Sequence, residues 1–276
     1  MILRNSIQRG LLMRSYPLIN LHIHSNLSFD SELQPDWIVQ ESIKLGFQYI
    51  SITDHLDLNP NDPAYGGYDY EKSKELVERL RREYPEINIL FGVEIGFESY
   101  REKEIGEYLS DKEFDFCIGS IHIMENMMIS KWSEMIDREG LWEKIALYYE
   151  QELALVRSGL FNVIGHFDYY KKYMDNQERA KAIWREHEKL IGEIFRTALK
   201  NNMVLEINTA GFRRKPKEQY PSLSLLRYYV EMGGKEVTIG SDAHKKDQLT
   251  VGIDEAYRIV KELGLNIRVP LNVRKK

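Results

Sequence analysis

Two histidines one residue apart, His22 and His24, end the apolar run "LINLHI", and Asp30 follows six positions after the second. On an extended strand alternate side chains share a face, so His22 and His24 point one way while Leu21 and Ile23 point the other. Two imidazoles aimed at one spot, with a carboxylate brought up behind them, form a metal donor set rather than a packing unit. Similar groups recur along the chain: Thr53-Asp54-His55, Glu94 in "FGVEIG", Ser120-Ile121-His122, Gly165-His166, Glu206 with Asn208, and Ser241-Asp242-Ala243-His244. Six of the seven histidines fall in these groups; His187, in the middle of a helical pattern, is assigned no role.

A lone histidine such as His122 or His166 is more often a hydrogen-bonded structural residue than a ligand. The joint pattern is another matter, because buried polar groups cost free energy unless satisfied and clustered carboxylates need cations nearby. His22, His24, Asp30, His55, Glu94, His122, His166, Asp242 and His244 are the candidate ligands. Nitrogen and oxygen donors together suit zinc, manganese or iron. More than four of them argue for more than one ion, with Glu94 a candidate bridge, and two to three divalent transition ions are expected.

The elements that must position these groups follow from the apolar pattern. Strands are expected at 17–23, 48–53, 87–95, 114–121, 161–165, 203–208 and 235–240. Helices are expected at about 35–46, 69–84, 101–110, 138–159, 176–201, 222–233 and 247–264. Pro35 suits a first helical turn, and Gly46, Gly159 and Gly233–Gly234 suit helix ends. Alternating strands and helices imply a parallel sheet built from βαβ units, and seven units without a Pro-, Gly- or Ser-rich linker imply one barrel-like domain over 17–276 after a 1–16 extension. The candidate residues then lie at strand C-termini, the face on which barrel enzymes place their sites. Met13 is a second possible translation start.

The chain has 276 residues, is 43% hydrophobic and 29% charged, and carries a net charge of -5. That balance disfavours general nucleic-acid binding, which needs a basic face. A single cysteine, Cys117, forbids an intramolecular disulfide and fits a cytoplasmic location. No apolar run approaches the roughly 20 residues of a membrane span, and the N-terminus has no continuous apolar core of a signal peptide.

Taken in order, "HIH", "TDH", "GVE", "GSIH", "GHFD" and "GSDAH" resemble the motifs of the polymerase-and-histidinol-phosphatase (PHP) family of metal-dependent phosphoesterases, over about residues 17–265. The "LEINTAGFRRK" and "DYEKS" segments look most like the monofunctional histidinol-phosphate phosphatases of that family. The resemblance implies a distorted (β/α)7 barrel, TIM-like, with parallel strands and outer helices. It also implies three ions: one on His22, His24, Glu94 and Asp242, one on Asp30, His55 and His244, and one on Glu94, His122 and His166. Many relatives carry histidine where Asp30 stands; aspartate ligates as well and makes that site harder. The implied reaction converts L-histidinol phosphate to L-histidinol and phosphate in histidine biosynthesis.

Metal ions serve such a reaction by acidifying water and by neutralising phosphoryl charge. Glu94, Asp242 and His244 are then the expected catalytic groups with Arg213, whose fork suits a phosphoryl group, and Arg214 is an alternative. Asp54, Asp242 and His244 are candidates to protonate the leaving oxygen, and Asp54 and Asp168 are candidates to orient ligating imidazoles. The loop 57–70 offers Asp57, Asp62, Tyr65, Tyr68 and Asp69 to a cationic, aromatic substrate. Rival readings are a phosphoesterase of the same family acting on a nucleotide, an oligonucleotide end or a phosphoprotein, an amidohydrolase-like metallo-hydrolase, and a non-catalytic metal-binding module. The expected partner is a small phosphorylated molecule, with no nucleic acid and no membrane; the sequence leaves the oligomeric state open.

Overall fold

A computed structural model describes residues 16–271. The expected extension and the alternative start at Met13 fall on residues 1–15, outside the described residues. The first strand, β1 (Ile19–Ile23), lies beside β2 (Tyr49–Ile52), followed across the sheet by β4 (Asn88–Gly96), β5 (Phe116–Ser120), β8 (Val163–Ile164), β9 (Val204–Asn208) and β10 (Glu236–Gly240). All these pairings are parallel. The short strand β3 (His55–Leu56) continues the line of β2 after a break at Thr53–Asp54 and pairs His55 with Glu94 of β4. Every residue of β1, β5 and β9 is buried. Unbroken burial is expected of strands covered on one side by helices and on the other by a barrel interior.

The sheet curls until its ends meet. The His24 N–H donates to the Ala243 carbonyl at 3.0 Å, and the Asp242 N–H donates to the His22 carbonyl at 2.7 Å. Asn20 locks this seam from within: its amide donates to Ser241 Oγ at 2.8 Å and its oxygen accepts from the Ser241 N–H at 2.8 Å. The result is the distorted seven-stranded parallel barrel expected from the sequence, with β11 (Asn266–Ile267) added outside β10.

Helices cover the outside by burying one stripe each. The helix Tyr70–Glu83 buries Tyr70, Ser73, Val77 and Leu80, a three-to-four-residue spacing, and Asp69 caps it by accepting from the Lys72 N–H. The expected helix 138–159 is instead two. Ile129–Glu139 buries Ile129, Trp132 and Ile136 and stops at Gly140 (φ 72°), and Ile145–Ser158 follows. The first of these lies in a stretch expected to be loop, after a small antiparallel hairpin of β6 (Ile123–Met124) and β7 (Met127–Met128). The expected helix 176–201 is broken at Ile183–His187, and nothing in its apolar spacing signals the break.

Gly240, the last residue of β10, marks how tightly the seam is drawn. A Cβ there would collide with Glu206 Oε1 and with His22 Cβ. Gly240→Ala should therefore cost about 1–3 kcal/mol of stability, as overpacking does, and lower the urea midpoint. Gly106→Ala, whose Cβ would meet only Leu160 at 3.6 Å on a helix, serves as the control and should leave the midpoint unchanged or raise it.

Candidate active site

The strand ends bring the expected ligands together. His22 lies within β1 and His24 one residue past it, so strand alternation puts their Nε2 atoms 3.1 Å apart. Glu94 Oε2 from β4 lies 3.3 Å from His22 Nε2 and 3.4 Å from His24 Nε2, and Asp242 Oδ1 lies 3.5 Å from His24 Nε2. Donors bound to one tetrahedral zinc at about 2.05 Å would lie roughly 3.4 Å from one another. The spacings are those of donors around a common ion, and His22, His24 and Asp242 form one group that could hold it.

The other oxygen of Glu94 serves a second group: Oε1 lies 2.9 Å from His166 Nε2 and 3.4 Å from His122 Nε2, and accepts from Ser120 Oγ at 2.7 Å. Asp30 forms a third, more open corner, with Oδ2 at 3.0 Å from His244 Nε2 and 3.6 Å from His55 Nε2. His55 Nδ1 in turn lies 3.1 Å from Glu94 Oε2. Among the described residues four groups lie close enough to hold an ion: His22, His24 and Asp242; His24, His55 and His244; His55, Glu94 and His122; and Asp57, Asp62 and His122.

The inward nitrogens are fixed by what holds the outward ones. His22 Nδ1 bonds Glu206 Oε1 at 2.8 Å, His122 Nδ1 bonds Asp57 Oδ1 at 3.0 Å, and His244 Nδ1 meets the Asp242 carbonyl at 3.0 Å. An Nδ1–H committed to an oxygen leaves the Nε2 lone pair pointing inward, the tautomer a metal needs. Lone pairs of His22 and His24 would otherwise face each other and a carboxylate, so the donor set calls for a cation. Sequence reasoning offered Asp54 and Asp168 as candidates for this orienting role. Asp54 instead accepts from the Ser25 N–H and Oγ at 2.6 and 2.7 Å, and Asp168 binds Lys171 Nζ and the Ser222 N–H. Glu206 and Asp57 take the role. Both were visible as residues, but only the fold says which carboxylate backs which ring.

The electrostatics match an ion site filled by protons when no ion is bound. Burial works to lower His22, but Glu206 and Glu94 outweigh it and hold the ring well above its usual value. Burial is likewise outweighed at His122, by Asp57 and Glu94, and at His55, which Glu94 and Asp30 push up to about 9. Burial, with His244 and His55 nearby, drops His24 to about 3. Burial would raise Glu94, yet His22, His122 and His55 hold it well below the carboxylate range. Burial alone would suffice to lift Asp54 to about 6 even against its serine bonds.

A pocket of about 270 Å³ opens over Asp30, His55, Glu94, His122, His166, Asp242 and His244. Its remaining wall carries Tyr169, stacked on His166 at 3.9 Å, together with Lys172, Arg214, Lys245 and Gln248. Arg213 is not on this wall: its Nη2 donates to the carbonyls of Ser241 and Asp242 at 2.8 and 2.9 Å. Lys172 and Lys245 escaped sequence reasoning because each is one of a lysine pair with no strand-end position. In the loop 57–70, Asp57 and Asp62 are buried, Tyr65 is exposed, Tyr68 has a buried hydroxyl and Asp69 is a helix cap. His187 lies far along the chain in the broken helix and joins none of these groups.

Residues 20–210 match the PHP domain family model. The chain belongs to the PHP family. A probable histidinol-phosphatase of Thermotoga maritima is 28% identical over 247 residues, 90% of this chain and 93% of that protein. The histidinol-phosphatase of Lactococcus lactis subsp. lactis is 28% identical over 254 residues, 90% of this chain and 92% of its own. The crystal structure of the lactococcal histidinol phosphate phosphatase, complexed with zinc, L-histidinol and phosphate, superposes with a TM-score of 0.79 at 27% identity, covering 94% of this chain and 98% of that one. The fold is shared as well with a putative histidinol phosphatase of Listeria monocytogenes, at a TM-score of 0.72.

Because the neighbouring carboxylates hold His22, His55 and His122 above the usual imidazole value, an ion entering this site would displace protons. Adding zinc to ion-free protein at pH 7 should release them, as read by a pH indicator. The apparent affinity should fall by about tenfold per proton displaced for each unit the pH is lowered. Zinc uptake without proton release would show that these imidazoles do not receive the ion.

Proposed function

We propose that this chain is a phosphomonoesterase that hydrolyses L-histidinol phosphate to L-histidinol and phosphate, a step of histidine biosynthesis. The observation that carries the reading is one pocket with two complementary walls: a nest of imidazoles and carboxylates on one side, and Lys172, Arg214 and Lys245 on the other. A phosphate dianion fits between cations on both walls; a neutral substrate would leave the lysines and arginine without a counter-charge. Two relatives that match nearly end to end carry the histidinol-phosphatase name.

The proposed ion holders are His22, His24, Glu94 and Asp242; Asp30, His55 and His244; and Glu94, His122 and His166. Two to three divalent ions would be held, zinc by analogy with the lactococcal neighbour, with manganese or iron suited to the same donors. When bound, such ions acidify water and neutralise phosphoryl charge. The chain's own residues do the rest. Arg214 offers a planar fork to two phosphoryl oxygens, and Lys172 and Lys245 offer point charges. Tyr169 accepts a hydrogen bond from Lys172 and keeps its ammonium over the ring, 4.3 Å from the centroid. Asp54 is tied to Ser25 behind the site, while Asp242 and His244 stand on the pocket wall, where as ion holders they could relay a proton from water to the leaving oxygen rather than supply their own. For the imidazole end of the substrate, the exposed ring of Phe29 stands at the mouth, 6.0 Å from His55. A cytoplasmic location suits this biosynthetic role; among the described residues no helix is long and apolar enough to cross a membrane.

Phosphate release should be compared on histidinol phosphate, a nucleoside monophosphate and an aryl phosphate. The first should be favoured by about 100-fold in kcat/KM, since its ammonium and imidazole are recognised groups; equal or faster turnover of the nucleotide would overturn the assignment. Arg214→Ala should lower kcat/KM by about 10- to 150-fold on every substrate, the loss of one charge-assisted contact. Glu94→Gln should abolish turnover and release metal.

A further inference from the structure

Arg213 was expected to grip the phosphoryl group, and its surroundings give it another task. Its fork is spent on main-chain carbonyls: Nη2 donates to Ser241 O at 2.8 Å and to Asp242 O at 2.9 Å, and Nη1 reaches Gln248 O at 3.4 Å. Arg213 is half-buried, while its neighbour Arg214 is exposed and lines the pocket.

The carbonyl of Asp242 is the centre of this arrangement. It accepts from Arg213 and also meets His244 Nδ1 at 3.0 Å. One oxygen therefore sets the ring orientation of His244, whose Nε2 points at Asp30. The same residue has φ 51°, in the left-handed region where a non-glycine residue persists only if its surroundings hold it. Its N–H is already held by the His22 carbonyl at 2.7 Å. Arg213 holds the other end of the turn, and Gln248 closes the loop by accepting from the His244 N–H at 3.0 Å. A lysine could reach one of these carbonyls but could not span two or three from one planar group.

We infer that Arg213 is a positioning residue: by clamping the Ser241 and Asp242 carbonyls it fixes the oxygen that orients His244 and so retains the ion nearest Asp30. This rests on the reading of the cluster as a metal centre. Partners that orient ligands tune metal affinity by about 10- to 100-fold. The effect should be local. His122, His166 and Glu94 Oε1 come from β4 and from the segments after β5 and β8, none of which Arg213 touches, so their ion should stay.

The test uses full-length protein reconstituted with zinc, its ions counted per chain and their release followed with a chromogenic chelator. Arg213→Met should lose about one ion per chain, or release one at least tenfold faster, with the remainder leaving at the parent rate. Arg213→Lys should restore retention in part, and this variant decides the matter if the methionine variant does not fold. Inorganic phosphate should inhibit the residual activity of Arg213→Lys with the parent's constant. Parent-like zinc content and release in the variants, with weakened phosphate inhibition, would overturn the inference and return Arg213 to the phosphoryl group. A parent protein that holds no zinc would instead overturn the metal-centre reading itself.

Discussion

A single buried carboxylate sets the terms for everything around it. Glu94 is almost fully enclosed, yet five imidazoles approach its two oxygens, His22, His24 and His55 at one and His122 and His166 at the other. An isolated charge at such a depth would be neutralised by a proton. Here it stays charged because positive charge, whether carried on imidazolium rings or on an ion, is never more than a few ångströms away. Each oxygen has its own partners, which allows one side chain to join two ion positions.

The barrel exists to deliver those partners. Glu94 stands at the end of the long strand β4, and the break between β2 and β3 swings His55 into register beside it. The β1–β10 seam supplies His22 and His24 from one edge and Asp242 and His244 from the other. Behind the rings, Glu206, Asp57 and the Asp242 carbonyl hold the outward nitrogens. The pattern is layered: strands fix backbones, backing oxygens fix tautomers, and only then do the inward nitrogens become a ligand set. Packing at Gly240 shows how little slack the first layer has.

Much of this was legible in the chain, for a physical reason. His22-x-His24 needs only strand alternation to converge, and His55, Glu94, His122, His166 and Asp242 sit within or at most two residues beyond apolar runs whose length and β-branched content mark them as strands, while Asp30 and His244 lie further out in the loops. All seven main strands fell within two residues of their expected ends. What the sequence did not disclose depends on contacts between distant segments. Which carboxylate backs His22 or His122 is decided by the neighbouring strand, not by spacing. Arg213 and Arg214 are adjacent and identical, and only the turn Thr209–Arg213 sends one guanidinium to backbone carbonyls and the other to the pocket. The helix at Ile129–Glu139 was missed although Ile129, Trp132 and Ile136 carry helical spacing, and the break at Ile183–His187 has no local signature.

The seam also dictates when the molecule can become an enzyme. Asn20 and Ser241, which lock it, are 221 positions apart in the chain. Closing so long a loop is among the least local steps a fold can require, and contacts of that kind come slowly and late. A chain emerging from the ribosome can build β1 through β9 and their helices while His22 and His24 still lack Asp242 and His244. The ligand set is therefore completed by the last barrel strand to be made. A barrel truncated before β10 would lack Asp242 and His244, so the proposed ion site is whole only once the seam has closed.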